Sequence, residues 1–202
     1  MKVLSNPGSN DPIQKVADHY SRYFAGTPEI RTIHFPFQPH RTVECCVTKH
    51  DDGVSYFGTL GCSMLDNGKN GPMSPTGQPI RIEMISAAKE EFENALIALL
   101  GNVVGILETF EGGFSPGMIL RDVIPEGFTM KHVYLCDPFL WDEGLPSLDA
   151  GDHIVAFVYA LPIAEDERLF ATKQSVIEFE NQLEKKRVPY FDLNRKSIFA
   201  SA

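Results

Sequence analysis

Residues 153–163, HIVAFVYALPI, are so continuously apolar that a strand there must be covered on both faces, which predicts a central strand. Directly after it, Glu165-Asp166-Glu167 opens an amphipathic pattern that runs to Lys185-Lys186-Arg187. That pattern predicts one helix over 164–187, with acids at its positive end and bases at its negative end. A second helix is expected over 92–107, where Phe92, Leu96, Leu99, Leu100, Val103, Val104 and Leu107 form a wide apolar stripe. The segment 89–93 would be its polar first turn, and Glu111-Gly112-Gly113 its stop. Near the start, Asn10-Asp11-Pro12 combines capping side chains with a first-turn proline. Ile13, Val16, His19, Tyr20 and Phe24 then follow at helical spacing, and Gly26 is placed to end that helix.

Strands are expected over 29–34, closed by Pro36 and Pro39, and over 41–50 and 54–60. The last two are joined by the tight turn Asp51-Asp52-Gly53. The stretch 79–87 alternates with Ile80, Ile82 and Met84 on one face and Arg81, Glu83 and Ile85 on the other. Short strands are expected over 118–124 and 131–136, loops over 61–79 and 142–151, and an edge strand over 188–199. The loop 61–79 is long for a compact domain, which marks it as functional or mobile. Helix, strands, helix, strands, helix points to a single α+β domain over 1–202, with 1–10 as a loose N-terminal segment. Its mixed or antiparallel β-sheet would be covered by three main helices.

With 18 Lys and Arg against 27 Asp and Glu, the formal charge is −9. That argues against sequence-independent nucleic-acid binding, which needs clustered cations to neutralise phosphates. The longest apolar run, 95–107, falls short of the ~20 residues a bilayer span takes, and no apolar signal core opens the chain. No membrane association and a cytoplasmic location are therefore expected. Cys45, Cys46, Cys62 and Cys136 lack CxxC spacing, and Cys45 and Cys46 are expected on opposite faces of one strand, as buried thiols in a reducing compartment.

The chemistry-bearing candidates are thin. Gly61 and Gly68 are separated by six residues, and Asn70 stands where a phosphate loop has Ser or Thr, so that motif is rejected. Glu111 to Gly117 follows a helix rather than a strand, which a dinucleotide loop does not do. The six histidines form neither HExxH nor HxH, so no metal and no cofactor is expected. Cys62 as a nucleophile, or His132 and His153 meeting from neighbouring strands, would suit a small hydrolase or transferase. Glu83, Glu108 and Glu111 are carboxylates without a specific pattern. Phe114, Phe139 and Trp141 lie in or near turns, where large aromatics are either interface anchors or plugs tucked onto the core.

Several features occur together: the apolar strand, Leu161-Pro162-Ile163, Glu167, and a distal Asp192-x-x-Arg195-x-Ser197. The earlier order adds Ser115-Pro116-Gly117 before Met118-Ile119-Leu120, and His132 to Pro138 as HVYLCDP. Together they resemble the Suppressor of fused domain family across about residues 10–199. The resemblance implies an α+β domain that binds protein partners and is not an enzyme. Stand-alone bacterial members look like immunity proteins, which neutralise a toxin, and a basic toxin would suit the −9 charge. The expected contact surface draws on Asp66 and Asn67 in the 61–79 loop together with Phe114, Phe139 and Trp141. A small enzyme and a structural or oligomer-forming module remain as alternatives.

Overall fold

The computed structural model describes residues 11–35, 38–67, 71–141, 144–186 and 188–200. The expectations for 1–10, Asn10, Pro36, Gly68, Asn70, Asp142 and Arg187 lie outside them. Among the described residues are four α-helices: α1 (Pro12–Tyr23), α2 (Glu93–Thr109), α3 (Glu165–Lys173) and α4 (Val176–Lys186). The strands are β1 (Pro28–Phe35), β2 (Gln38–Lys49), β3 (Val54–Leu60), β4 (Ile80–Lys89), β5 (Ile119–Leu120), β6 (His132–Cys136), β7 (Leu148–Asp149) and β8 (Ile154–Ile163). They form one mixed sheet in the order β1-β2-β3-β4-β8-β6-β5, with β7 also on β8. β4 and β8 run parallel and the other pairs antiparallel. The fold class is α+β, as the order of elements implies.

β8 sits inside the sheet, between β4 and β6, and alternation along it sorts its side chains into two cores. Val155, Phe157, Tyr159, Leu161 and Ile163 join the core under α1, α3 and α4, whereas Val158 and Ala160 join the core under α2. Cys45 and Cys46 divide between the two cores in the same way. All four cysteines are free and buried. Two glycines set helix distances. A Cβ on Gly101 would lie 2.8 Å from Ile33 Cγ2, so its absence lets α2 close on β1. A Cβ on Gly58 would lie 2.5 Å from the Tyr20 ring, which α1 lays flat on β3. With the preceding turn of 3₁₀ helix, α2 spans 20 residues and is apolar and long enough to cross a bilayer by composition alone. Leu96, Leu99, Leu100, Val103 and Val104 are nevertheless wholly buried against the sheet, as in a core helix.

α1 begins as expected, with the Asp11 carboxylate accepting from Ile13 N at 3.1 Å and proline in the first turn. Several details differ from the sequence expectation, among them a two-residue strand, β7, inside the expected loop 142–151 and a β2 that begins at Gln38. The helix expected over 164–187 is two helices. Ser175 caps the second one, its Oγ accepting from Glu178 N at 3.0 Å, so the Ser-x-x-Glu start outweighs continuous periodicity. The strand expected over 118–124 is only Ile119–Leu120, because Asp122 turns left-handed with φ 54°. The segment from Glu90 to Phe92 is a 3₁₀ turn, not the first turn of α2, and β4 extends to Lys89. Residues 188–199 form no strand. They are turns held to the body by side chains and by the Lys89 and Met130 amides, which donate to Phe191 O and Leu193 O.

Candidate functional site

A concave surface lies where β6 and β8 meet α4, and separate stretches of sequence build it. β6 ends at Cys136, and Asp137-Pro138 turns the chain away. Trp141 anchors that turn: its Nε1 donates to Tyr23 O at 2.9 Å and its ring stacks on Phe24 at 5.4 Å. With the tryptophan tucked onto α1, Phe139 is left pointing outwards and stays 43% exposed. Its ring meets Tyr159 at 5.0 Å and Tyr190 at 4.9 Å, both edge-on. On α4, Phe179 and Leu183 are buried one turn apart, which brings Glu180 and Glu184 to the edge. The resulting groove of about 370 Å³ is lined by Tyr134, Cys136, Phe139, Leu161, Leu183 and Tyr190, and rimmed by Asp137, Glu180 and Glu184.

The rim is acidic, and among the described residues no cation forms an ion pair with Asp137, Glu180 or Glu184. Tyr134 donates its hydroxyl to Glu180 Oε1 at 2.6 Å, which fixes that carboxylate. Burial, then this bond, pushes the Tyr134 phenol far above its ordinary range, so it remains a donor. Among the described residues no Lys or Arg lines the groove. Five cations elsewhere are paired with acids: Arg31 with Glu29 and Glu93, Arg81 with Asp66, Lys89 with Asp192, Arg168 with Glu165 and Arg195 with Glu167.

The tail that supplies Tyr190 is clamped by a buried ion pair. Arg195 grips Glu167 bidentately, with Nη1 on Oε1 and Nη2 on Oε2, and Nη2 also donates to Pro162 O at 3.1 Å. Glu167 further accepts from Ala164 N and Ile198 N, each at 3.0 Å. Lys89 holds Asp192. The Glu167, Asp192 and Arg195 of the sequence pattern therefore act together as a clasp on the chain's last turns.

The other sequence candidates fall in different places. Phe114 is 1% exposed and packs in the α2 core, so it is not an available contact. Asn67 is 4% exposed, its amide donating to Phe114 O at 3.1 Å and accepting from Phe114 N at 2.6 Å. Two backbone-like bonds thus hold a buried hairpin of loops, which corrects the surface role expected of both residues. Asp66 is exposed, paired with Arg81 at 2.9 Å, and does not line the groove. Trp141 is half-buried as an anchor. Of the five, Phe139 alone lies on the groove.

The expected catalytic groupings do not form. His132 pairs across from Ile163, while His153 precedes Ile154, so they stand at opposite ends of β8, about 30 Å apart at ~3.3 Å per residue. His132 accepts from Asp122 N at Nδ1 and meets Glu165 at 2.6 Å, while His153 meets Asp152. Cys62 is fully buried, and burial followed by the Glu83 carboxylate pushes its thiol well above its ordinary value, away from the thiolate a nucleophile needs. Glu83 is itself buried and structural. It accepts from Thr59 Oγ1, from the amides of Gly61, Cys62 and Ser63, and from Ser63 Oγ, tying down the start of the 61–79 loop. Burial raises its carboxyl above the ordinary range, and these bonds oppose the rise. Among the described residues no group of three or more His, Cys, Asp or Glu is placed to hold a metal. The groove's walls come from 134–139, 161, 180–184 and 190, which only the fold brings together, so no local sequence pattern marks it.

Comparison with known proteins places these observations. The family profile described as Suppressor of fused protein (SUFU) matches residues 36–196. Immunity protein YqcF of Bacillus subtilis (strain 168) is 32% identical over 153 residues, which cover 73% of this chain and 76% of that protein. The crystal structure of a putative SUFU homologue from Neisseria gonorrhoeae superposes with a TM-score of 0.67 at 21% identity, covering 96% of this chain and all of that one. The Sufu–Fu complex gives 0.64 at 12% identity, covering 93% and 92%. Drosophila Suppressor of Fused gives 0.63 at 13%, with 96% of this chain matched to 51% of that larger protein. At these identities the structural likenesses speak for the fold.

Proposed function

The chain belongs to the Suppressor of fused family, and on that premise we propose that it is a non-enzymatic protein-binding domain of the immunity type, which holds and neutralises a toxin in the cytoplasm. The observation that carries this reading is the 32% identity, over most of both chains, to a protein named for immunity. Two further observations support it. The polar residues that would suit catalysis are dispersed or buried in structural roles, and the open groove has the aromatic floor and polar edge of a protein-recognition surface. A basic toxin fits the formal charge of −9, because opposite net charge speeds encounter.

The test is co-expression in a sensitive host with candidate toxin domains, each alone and together with this chain. Rescue of growth by a stable complex is expected for one of them. Rescue without any complex would point instead to an enzymatic antidote, and absence of rescue across the set would count against immunity.

A further inference from the structure

We propose that the groove between α4 and the 137–141 turn is the docking site for a cationic peptide segment of a protein partner. That segment would place an aliphatic or aromatic side chain against Phe139, Tyr190 and Leu183, and Lys or Arg over Asp137, Glu180 and Glu184. The proposal rests on the protein-binding reading and adds to it where the partner sits and what its chemistry is.

The first observation is the pairing of exposure with depth. Phe139 is 43% exposed on a turn that Trp141 pins to Tyr23 and Phe24, and it lines a cleft of about 370 Å³. That volume lies within the range of recognised binding pockets. An exposed aromatic on a fixed support loses little conformational entropy on binding, which is what an anchor requires.

The second observation is charge. Glu180 and Glu184 lie one turn apart on α4, an arrangement of like charges that costs a helix stability. No described Lys or Arg pairs with either of them or with Asp137, while the cations named above pair with other acids. An apolar floor inside an acidic rim that no described cation pairs with is complementary to a segment that is apolar at its centre and basic at its flanks. An arginine satisfies both parts, since its guanidinium stacks on aromatic faces while its donors reach carboxylates. The same rim repels nucleic-acid phosphates. It also opposes a second copy of this chain, whose own charge is −9.

The test uses a displayed library of random 12-residue peptides, panned on the immobilised full chain, with enriched sequences synthesised and measured by fluorescence anisotropy. Enriched peptides are expected to carry an aromatic or aliphatic residue with two or more Lys or Arg. Binding is expected to fall at least ~10-fold in Phe139→Ala and in Glu180→Lys/Glu184→Lys, and to weaken as salt rises. A control, Asp51→Lys/Glu126→Lys, makes the same change in charge at two exposed acids outside the groove lining and should bind within ~2-fold of wild type. Glu184→Lys alone preserves the Tyr134–Glu180 bond and separates rim charge from local packing. Circular dichroism confirms that each variant is folded. Enrichment of peptides lacking Lys and Arg, no enrichment, equal binding by the groove variants, or a groove-dependent dimer in light scattering would each overturn the proposal. No toxin enters this experiment, so its failure is distinct from a failure of neutralisation.

Discussion

Replacing Arg195 with methionine should be among the most damaging single changes outside the apolar core. The substitution keeps most of the side-chain volume and removes the charge. It leaves the Glu167 carboxylate fully buried, with only the Ala164 and Ile198 amides as donors, and it leaves Pro162 O without the guanidinium. Breaking a buried pair by removing one partner costs about 3–5 kcal/mol, because the survivor is an uncompensated charge. Against a total stability of about 5–15 kcal/mol, that is a large share. The damage should also reach the groove, because residues 188–199 carry Tyr190 and have no strand pairing of their own to hold them. Urea denaturation of wild type, Arg195→Met, Glu167→Met and the double variant forms the cycle. Each single variant should lose about 3–5 kcal/mol, and the double variant should lose less than the sum by about 2 kcal/mol. A loss below about 1 kcal/mol for Arg195→Met, or additivity within ~0.5 kcal/mol, would refute the clasp.

Other consequences can be checked on the same preparation. Gly58→Ala should cost about 1–3 kcal/mol, because its methyl group would displace the Tyr20 ring and lift α1 from β3; an unchanged denaturation midpoint would contradict that packing. Glu83→Gln should cost about 2–3 kcal/mol, since an amide cannot accept on both sides from the Gly61–Ser63 amides, and limited proteolysis should then cut within 61–79. Glu165 is held down at about 2, first by its bonds to Arg168 and then by His132, against an ordinary value of 4.5. Its contribution to stability is therefore present above pH 4.5 and lost as the pH falls towards 2, and Glu165→Gln should flatten the acid limb of stability against pH in that window. An identical limb in the variant would show that these contacts are not made in solution.

The parts of the fold legible in the sequence were those governed by local rules. Asp11 and Pro12 start α1, Asp51-Asp52-Gly53 turns β2 into β3, and the unbroken apolar run at 154–163 gives an interior strand. The α3–α4 break was legible too, as Ser175-x-x-Glu178, but periodicity and well-placed terminal charges favoured one long helix. Acids at 165–167 and bases at 185–186 suit helix ends whether one helix or two lie between them. The site was less accessible. Phe139 stood out as an aromatic next to a proline turn, whereas Tyr190, Leu183 and Glu180 join it only through the packing of α4 and the clasped tail against β6 and β8. Phe114 lies near a turn and Asn67 in the long 61–79 loop, positions that suggest exposure. Their mutual hydrogen bonds, formed across 47 residues of chain, put them inside.

Isothermal titration of this chain against a toxin domain from whose action it protects cells tests the central claim most directly, with wild type and Glu180→Lys/Glu184→Lys compared at low and physiological salt. A one-to-one complex is expected, with a Kd in or below the nanomolar range, weakened at least ~10-fold by the reversed rim and by added salt. Full affinity in the reversed variant, or protection without measurable binding, would contradict it.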